Sequence, residues 1–228
     1  LPFDTAGRPA PATTPAASLD AELAALPVPR QHYQTYYASR QANDNMWRAP
    51  QGVHAFLRAY YHMKSADWAG NQPFPLASNA AIEMAKLPRY YVMDRDTGMA
   101  ESVAPEMPTP AQVAACRWLT EDELRVYSTE YERTGFQGGL QSYRVGRMPR
   151  LSAELALFAG RTLDVPSAFV SGRQDWGVYQ RAGSLDTMKA VCTRFEGVDL
   201  IDGAGHWVQQ EQPEATVARL LAFLRRHQ

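Results

Sequence analysis

The chain has 228 residues, 45% hydrophobic and 21% charged, with 23 Lys and Arg against 24 Asp and Glu for a formal net charge of −1. That is enough for one domain with a real core or for two small ones, and it leaves no electrostatic footprint for nucleic acid or an anionic membrane, so a small neutral substrate is the easier fit. No apolar run approaches the ~20 residues of a membrane span and no signal-like segment opens the chain, which favours the cytoplasm.

In chain order, residues 1–30 read as a Pro/Ala-rich connector. Pro9, Pro11, Pro15, Pro27 and Pro29 forbid long regular structure there, and only Leu19 to Leu26 has room for a short helix. Residues 31–148 are helical but often broken: aromatic-rich from Gln51 to Ser65, short from Asn79 to Leu87, then Pro110 to Leu119 leading into another helix. Thr120-Glu121-Asp122-Glu123 starts that helix as a capping box, and Leu124, Tyr127 and Tyr131 share one of its faces. No strand run stands out between Arg30 and Arg150, which predicts an all-helical domain.

Residues 149–228 change character to helix (Leu151 to Phe158), strand (Ser167 to Ser171), helix (roughly Tyr179 to Cys192), strand (Val198 to Ile201) and helix, the alternation of a parallel α/β architecture. The closing helix opens on Pro213-Glu214 and ends in Arg225-Arg226. Val217, Leu220, Leu221 and Leu224 form an apolar stripe along it that is expected to pack against the sheet. Two strands do not make a stable sheet alone, so their open side is expected to pair with strands from outside this sequence. Cys116 and Cys192 stand outside any C-x-x-C spacing, so neither a disulfide framework nor a zinc site is indicated, and both are expected to be buried small hydrophobes.

Gly203-Ala204-Gly205-His206-Trp207 is a glycine-bracketed turn that lifts a histidine out of a strand end just before a helix. Val165 to Gly172 runs into Arg173-Gln174-Asp175-Trp176-Gly177, which offers a carboxylate at another strand tip. The 31-residue spacing from Asp175 to His206 leaves room for one crossover helix and one strand, placing both tips side by side on one edge of a parallel sheet. Asp199 and Asp202 lie too near His206 along one strand to take the acid's place. This order matches the nucleophile, acid, histidine series of α/β-hydrolases. A nucleophile elbow is absent, however: the glycines four apart are Gly135 and Gly139, with Gln137 between them, and none of the five histidines is followed by glycine. The chain also opens on Leu1, so it reads as the second half of a hydrolase.

The chain resembles α/β-hydrolase epoxide hydrolases, over a helical cap and the C-terminal part of the core. The likeness rests on residues 56–68, Phe-Leu-Arg-Ala-Tyr-Tyr-His-Met-Lys-Ser-Ala-Asp-Trp, together with His32-Tyr33-Gln34, the turn from Thr134 to Leu140 leading to Tyr143-Arg144, Asp175-Trp176-Gly177, and Gly205-His206-Trp207. It departs from that pattern at Ser142, where an aromatic residue often precedes the lid tyrosine. The fold implied is α/β, a C-terminal portion of a hydrolase sheet (149–228) with an all-helical cap or lid domain (31–148).

The resemblance further implies a two-step reaction. An aspartate on the missing N-terminal half opens an epoxide to a hydroxyalkyl ester, and a water activated by His206 hydrolyses it, with Asp175 holding the imidazole. Tyr33 and Tyr143 donate to the epoxide oxygen, with Tyr36 and Tyr37 as alternatives to Tyr33 one turn away. Trp176 and Trp207 wall the substrate pocket, and Gly203 and Gly205 supply backbone angles. No metal or organic cofactor is required. The same scaffold working as an esterase or haloalkane dehalogenase, or a catalytically inactive fragment, are the alternatives.

Overall fold

The computed structural model describes residues 18–148 and 160–228. The helix expected from Leu151 to Phe158 and most of the Pro/Ala-rich connector lie outside the described residues. Two compact units emerge, one of residues 18–63 and 78–148, the other of residues 64–77 and 160–228.

The first unit is built on short helices: α1 (Leu19–Ala24), α2 (Tyr33–Ala38), α3 (Gln41–Trp47), α4 (Gly52–Lys64, whose last residue counts with the second unit), α5 (Ala81–Met84), α6 (Met99–Val103), α7 (Pro110–Ala115), α8 (Glu121–Thr134) and α9 (Gln137–Gly146). Local chemistry accounts for several starts. The Ser18 hydroxyl accepts from the Ala21 amide at 3.3 Å, and capping boxes at Thr109/Gln112 and Thr120/Glu123 open α7 and α8, such a cap stabilising a helix by about 1 kcal/mol. α4 is long because Val53, Phe56, Leu57 and Met63 recur at helical spacing and are all buried. On α8 the expected face is only partly used: Leu124 is buried with Ser128, whereas Tyr127 is exposed.

The expectation of an all-helical unit needs correction. Strands β1 (Arg30–His32) and β2 (Val92–Asp94) pair antiparallel, with Arg30 opposite Asp94 and His32 opposite Val92. Three residues are too few to show an alternating pattern, and most of β2 is buried, which erases polar alternation altogether. Tertiary contacts supply what the sequence lacks: an Arg30–Asp94 ion pair, and the Gln31 side-chain amide donating to the carbonyls of Arg95 and Thr97 at 2.9 and 3.1 Å. Cys116 also departs from expectation, being half-buried while Cys192 is buried; both are free thiols.

The second unit is α/β. Strands β3 (Ser167–Gly172) and β4 (Phe195–Ile201) run parallel, joined by a short 3-10 turn (Trp176–Val178) and helix α10 (Ser184–Val191), and followed by α11 (Val208–Glu211) and α12 (Pro213–Arg225). Their register brings Val170 opposite Asp199 and Gly172 opposite Ile201, so the two strands end level. Ile201, Ala204 and Val208 form a small core, with Val170 and Ala215 packed on it. A fully buried side chain of this size contributes roughly 1.5 to 3 kcal/mol.

The apolar stripe of α12 does not pack as expected. Val217, Leu220, Leu221 and Leu224 are between 44% and 55% exposed, and the residue of this helix that is buried is Thr216. The Thr216 hydroxyl donates to the carbonyls of Gln212 and Val208 at 2.8 and 3.1 Å, turning that side inward. Ion pairs along the strand, Arg219–Asp199 at 3.5 Å and Arg226–Glu196 at 2.8 Å, hold the helix beside β4. A sheet of two described strands is too narrow to cover both sides of a 13-residue helix. Among the described residues, no helix is long and apolar enough to cross a membrane.

Candidate active site

Asp175 and His206 stand at the tips of β3 and β4. The chain leaving β3 is fixed to that leaving β4 by the Arg173 amide donating to the Ile201 carbonyl (2.9 Å) and the Gln174 amide to the Ala204 carbonyl (3.0 Å). His206 Nδ1 lies 3.2 Å from each carboxylate oxygen of Asp175. With its proton on Nδ1, the ring donates to Asp175 and leaves Nε2 as the acceptor, the tautomer a general base needs. The two rivals in sequence are engaged elsewhere: Asp202 pairs with Arg173 and Asp199 with Arg219.

The two members differ in their surroundings. Asp175 is buried, while the His206 side chain is 39% exposed. Burial alone would raise the Asp175 carboxyl; the hydrogen bond and charge of His206, the Gly177 amide and the Lys64 ammonium outweigh it and hold it below the usual carboxylate range. The Gly177 amide donates to Oδ1 at 2.7 Å as Asp175 caps the 3-10 turn, and the Ser171 hydroxyl donates to Oδ2 at 3.3 Å. Trp176 is buried edge-on against Phe74, and Trp207 lies edge-on to His206 with ring centroids 5.0 Å apart.

Gly203 and Gly205 serve different ends. Gly203 has φ +69°, a left-handed conformation that a β-carbon strains, as expected. Gly205 does not; there a β-carbon would lie 2.4 Å from the Lys64 carbonyl oxygen, so its expected conformational role is corrected to one of space. The tight approach lets the His206 amide donate to that same carbonyl at 2.8 Å.

In the helical unit, Tyr33 and Tyr143 face each other edge-on, ring centroids 6.0 Å apart. Tyr33 opens α2, its amide donating to the Tyr91 carbonyl at 2.8 Å, and Tyr143 lies on α9. Arg144 ties the two helices together, its guanidinium donating to the carbonyls of Ala38 and Ser39 at 3.3 and 3.0 Å, where the end of α2 favours a cation. Of the alternatives, the Tyr36 hydroxyl donates to Asn45 Oδ1 at 2.7 Å, whereas Tyr37 packs in the same cluster, its ring centroid 5.0 Å from that of Tyr143 and its hydroxyl donating to that of Tyr60 at 3.1 Å. Burial, with the neighbouring phenols of Tyr33 and Tyr60, raises the Tyr143 hydroxyl far above its ordinary value, so at neutral pH it is a donor.

Two residues of the site escaped the sequence reading. Ser171 is the next-to-last residue of β3 and signals nothing by itself. Glu211 sits five residues after His206 and accepts from backbone amides, which carry no sequence signature.

No family model matches the chain. Epoxide hydrolase A of Mycobacterium tuberculosis is 41% identical to it over 118 residues, 52% of this chain and 35% of that protein. An epoxide hydrolase from an endophytic Streptomyces superposes with a TM-score of 0.64 at 26% identity, covering 89% of this chain and 54% of the other. Epoxide hydrolase A from Mycobacterium thermoresistibile gives 0.59 at 26% identity, over 86% of this chain and 52% of the other. The chain spans about a third of the length of the curated relative and about half that of the solved ones. Its sequence and fold are similar to those of epoxide hydrolases with the α/β-hydrolase fold, over part of their length.

Proposed function

We propose that this chain supplies the base, the orienting acid and two lid phenols for hydrolysis of an epoxide to a diol through an alkyl-enzyme ester, the nucleophilic aspartate coming from the N-terminal half of the hydrolase. In the first step the aspartate attacks a ring carbon, and the breaking C–O bond leaves negative charge on the epoxide oxygen, to which Tyr33 and Tyr143 donate. In the second, His206 Nε2 takes a proton from water, the oxygen adds to the ester carbonyl carbon, and the C–O bond to the hydroxyalkyl group breaks. His206 then returns that proton to the departing alkoxide, Asp175 stabilising the imidazolium between the two transfers. The water's second proton, left on the carboxyl of the released nucleophile, passes to the oxygen freed in the first step, which completes the diol. The domain reading that goes with this is a cap over 31–148 and a catalytic core over 149–228. Trp176 and Trp207 wall the substrate pocket.

The observation that carries the proposal is the His206–Asp175 pair, 3.2 Å apart at the ends of adjacent parallel strands, with a half-exposed base and a buried acid. The paired phenols favour epoxide over ester chemistry, since an ester oxyanion is ordinarily held by backbone amides. The test is to join this chain to the nucleophile-bearing half and follow diol formation from styrene oxide. On the proposed mechanism His206→Gln still becomes alkylated and accumulates the covalent ester by mass spectrometry. Parental steady-state turnover in that variant would sink the assignment.

A further inference from the structure

We propose that Glu211 is a positioning residue that holds the peptide groups flanking His206 in place. Its carboxylate accepts from both sides of the histidine: the Gly205 amide lies 3.0 Å from each oxygen, and the Trp207 amide 3.0 Å from Oε1. Oε2 also accepts from the Ala66 amide at 2.7 Å. Between the two clasped amides, the His206 amide donates to the Lys64 carbonyl, two residues before Ala66. Three successive amides are thus immobilised, two by Glu211 and one by a segment that Glu211 also holds.

The arrangement needs a carboxylate. Three donors share two oxygens, and each bond to an ionised acceptor is stronger than its neutral counterpart. Glutamine of the same length keeps one acceptor oxygen and turns an NH2 group toward amides that can only donate. Burial raises the Glu211 carboxyl above its ordinary value, against the three amides, so its ionised form depends on those donors staying in place. The backbone from which the imidazole projects toward Asp175 is fixed from behind, leaving the side chain open to its reactant.

This deepens the reading of His206 as the base and rests on it only for the word positioning; the contacts stand whatever the reaction. The test uses the 228-residue chain, labelled with 15N, and two readouts: amide hydrogen exchange, and the His206 Nδ1–H signal, assigned by its loss in Asp175→Asn. In the parental chain the Ala66, Gly205 and Trp207 amides should be protected together. In Glu211→Gln, exchange at Gly205 and Trp207 should rise by about tenfold or more, as expected for losing a charge-assisted bond, and the Nδ1–H signal should broaden or vanish. Amides of the β3–β4 ladder should keep parental rates, which general destabilisation would not allow. A folded Glu211→Gln chain with unchanged Gly205 and Trp207 exchange and an intact His206 signal overturns the proposal. So do unprotected Gly205 and Trp207 amides in a parental chain whose β3–β4 ladder amides are protected, a measurement that requires no variant to fold. Diol formation is not read, so failure of the epoxide reading and failure of this one remain distinct.

Discussion

Substituting alanine for Gly205 adds one methyl group at a place where nothing can yield easily. Its carbon would lie 2.4 Å from the Lys64 carbonyl oxygen and 2.8 Å from the Ser65 carbonyl carbon, both main chain, where 3.0 Å is the practical floor. The two segments must therefore part by about 0.6 Å, enough to strain or break the 2.8 Å bond from the His206 amide to that oxygen. Overpacking of this kind costs about 1–3 kcal/mol. The lost hydrogen bond adds about 1 kcal/mol. A stiffer unfolded chain returns about 0.4–1 kcal/mol. The net expectation is a destabilisation of about 2 kcal/mol, or a fall of roughly 1 M in the urea midpoint for an ordinary slope. Tryptophan fluorescence can follow it, since Trp68, Trp176 and Trp207 lie in the same unit as Gly205. Gly203 provides the contrast. There the cost is backbone strain of about 1–2 kcal/mol, which asparagine partly relieves, whereas asparagine at 205 should fare no better than alanine. A Gly205→Ala chain within about 0.5 kcal/mol of the parent, the spread of ordinary surface changes, would refute the steric reasoning.

In the joined enzyme, Tyr33→Phe or Tyr143→Phe keeps the ring and deletes a donor, so each should raise the barrier to alkylation by about 2–4 kcal/mol in single-turnover measurements on styrene oxide; parental rates in both would return the scaffold to ester or halide chemistry. Because Asp175 is held below the usual carboxylate range, its contribution to stability is full above that range and disappears as pH falls through the lowered value. Stability curves of the parent and Asp175→Asn should therefore converge in acid and diverge toward neutrality, and a constant gap from neutral pH down to strong acid would contradict this. The exposed stripe of α12 predicts concentration-dependent association of the isolated chain, and Leu221→Glu with Leu224→Glu should reduce it in sedimentation runs while leaving the thermal midpoint nearly unchanged.

The strands β3 and β4 were legible because apolar runs ending in Gly172 and Gly203 punctuate both, and that alone placed Asp175 beside His206. The strands β1 and β2 were not, since three-residue strands held by Arg30, Gln31 and Asp94 depend on partners about sixty residues away. The α12 stripe has the period of a packed face, yet periodicity reports which side is apolar and not whether anything covers it; Thr216 took the inner side through two carbonyl acceptors. Tyr33, Tyr36 and Tyr37 were one helix turn apart and inseparable by spacing. The structure sets Tyr36 apart, its hydroxyl on Asn45, and keeps both Tyr33 and Tyr37 beside Tyr143. Glu211 looked like an ordinary helix-end carboxylate because its partners are main-chain donors.

The level ending of β3 and β4 separates two kinds of change that this chain can absorb. The distance between acid and base is set by the spacing of neighbouring strands, about 4.8 Å, and by the two hydrogen bonds that tie Arg173 and Gln174 across to Ile201 and Ala204. It owes nothing to the length of what lies between. Turns or helical residues could be inserted between Gln180 and Arg194 without moving either group, as long as both strands keep their register. A slip of one residue in that register, by contrast, would carry one tip past the other and reverse the side on which its residues point.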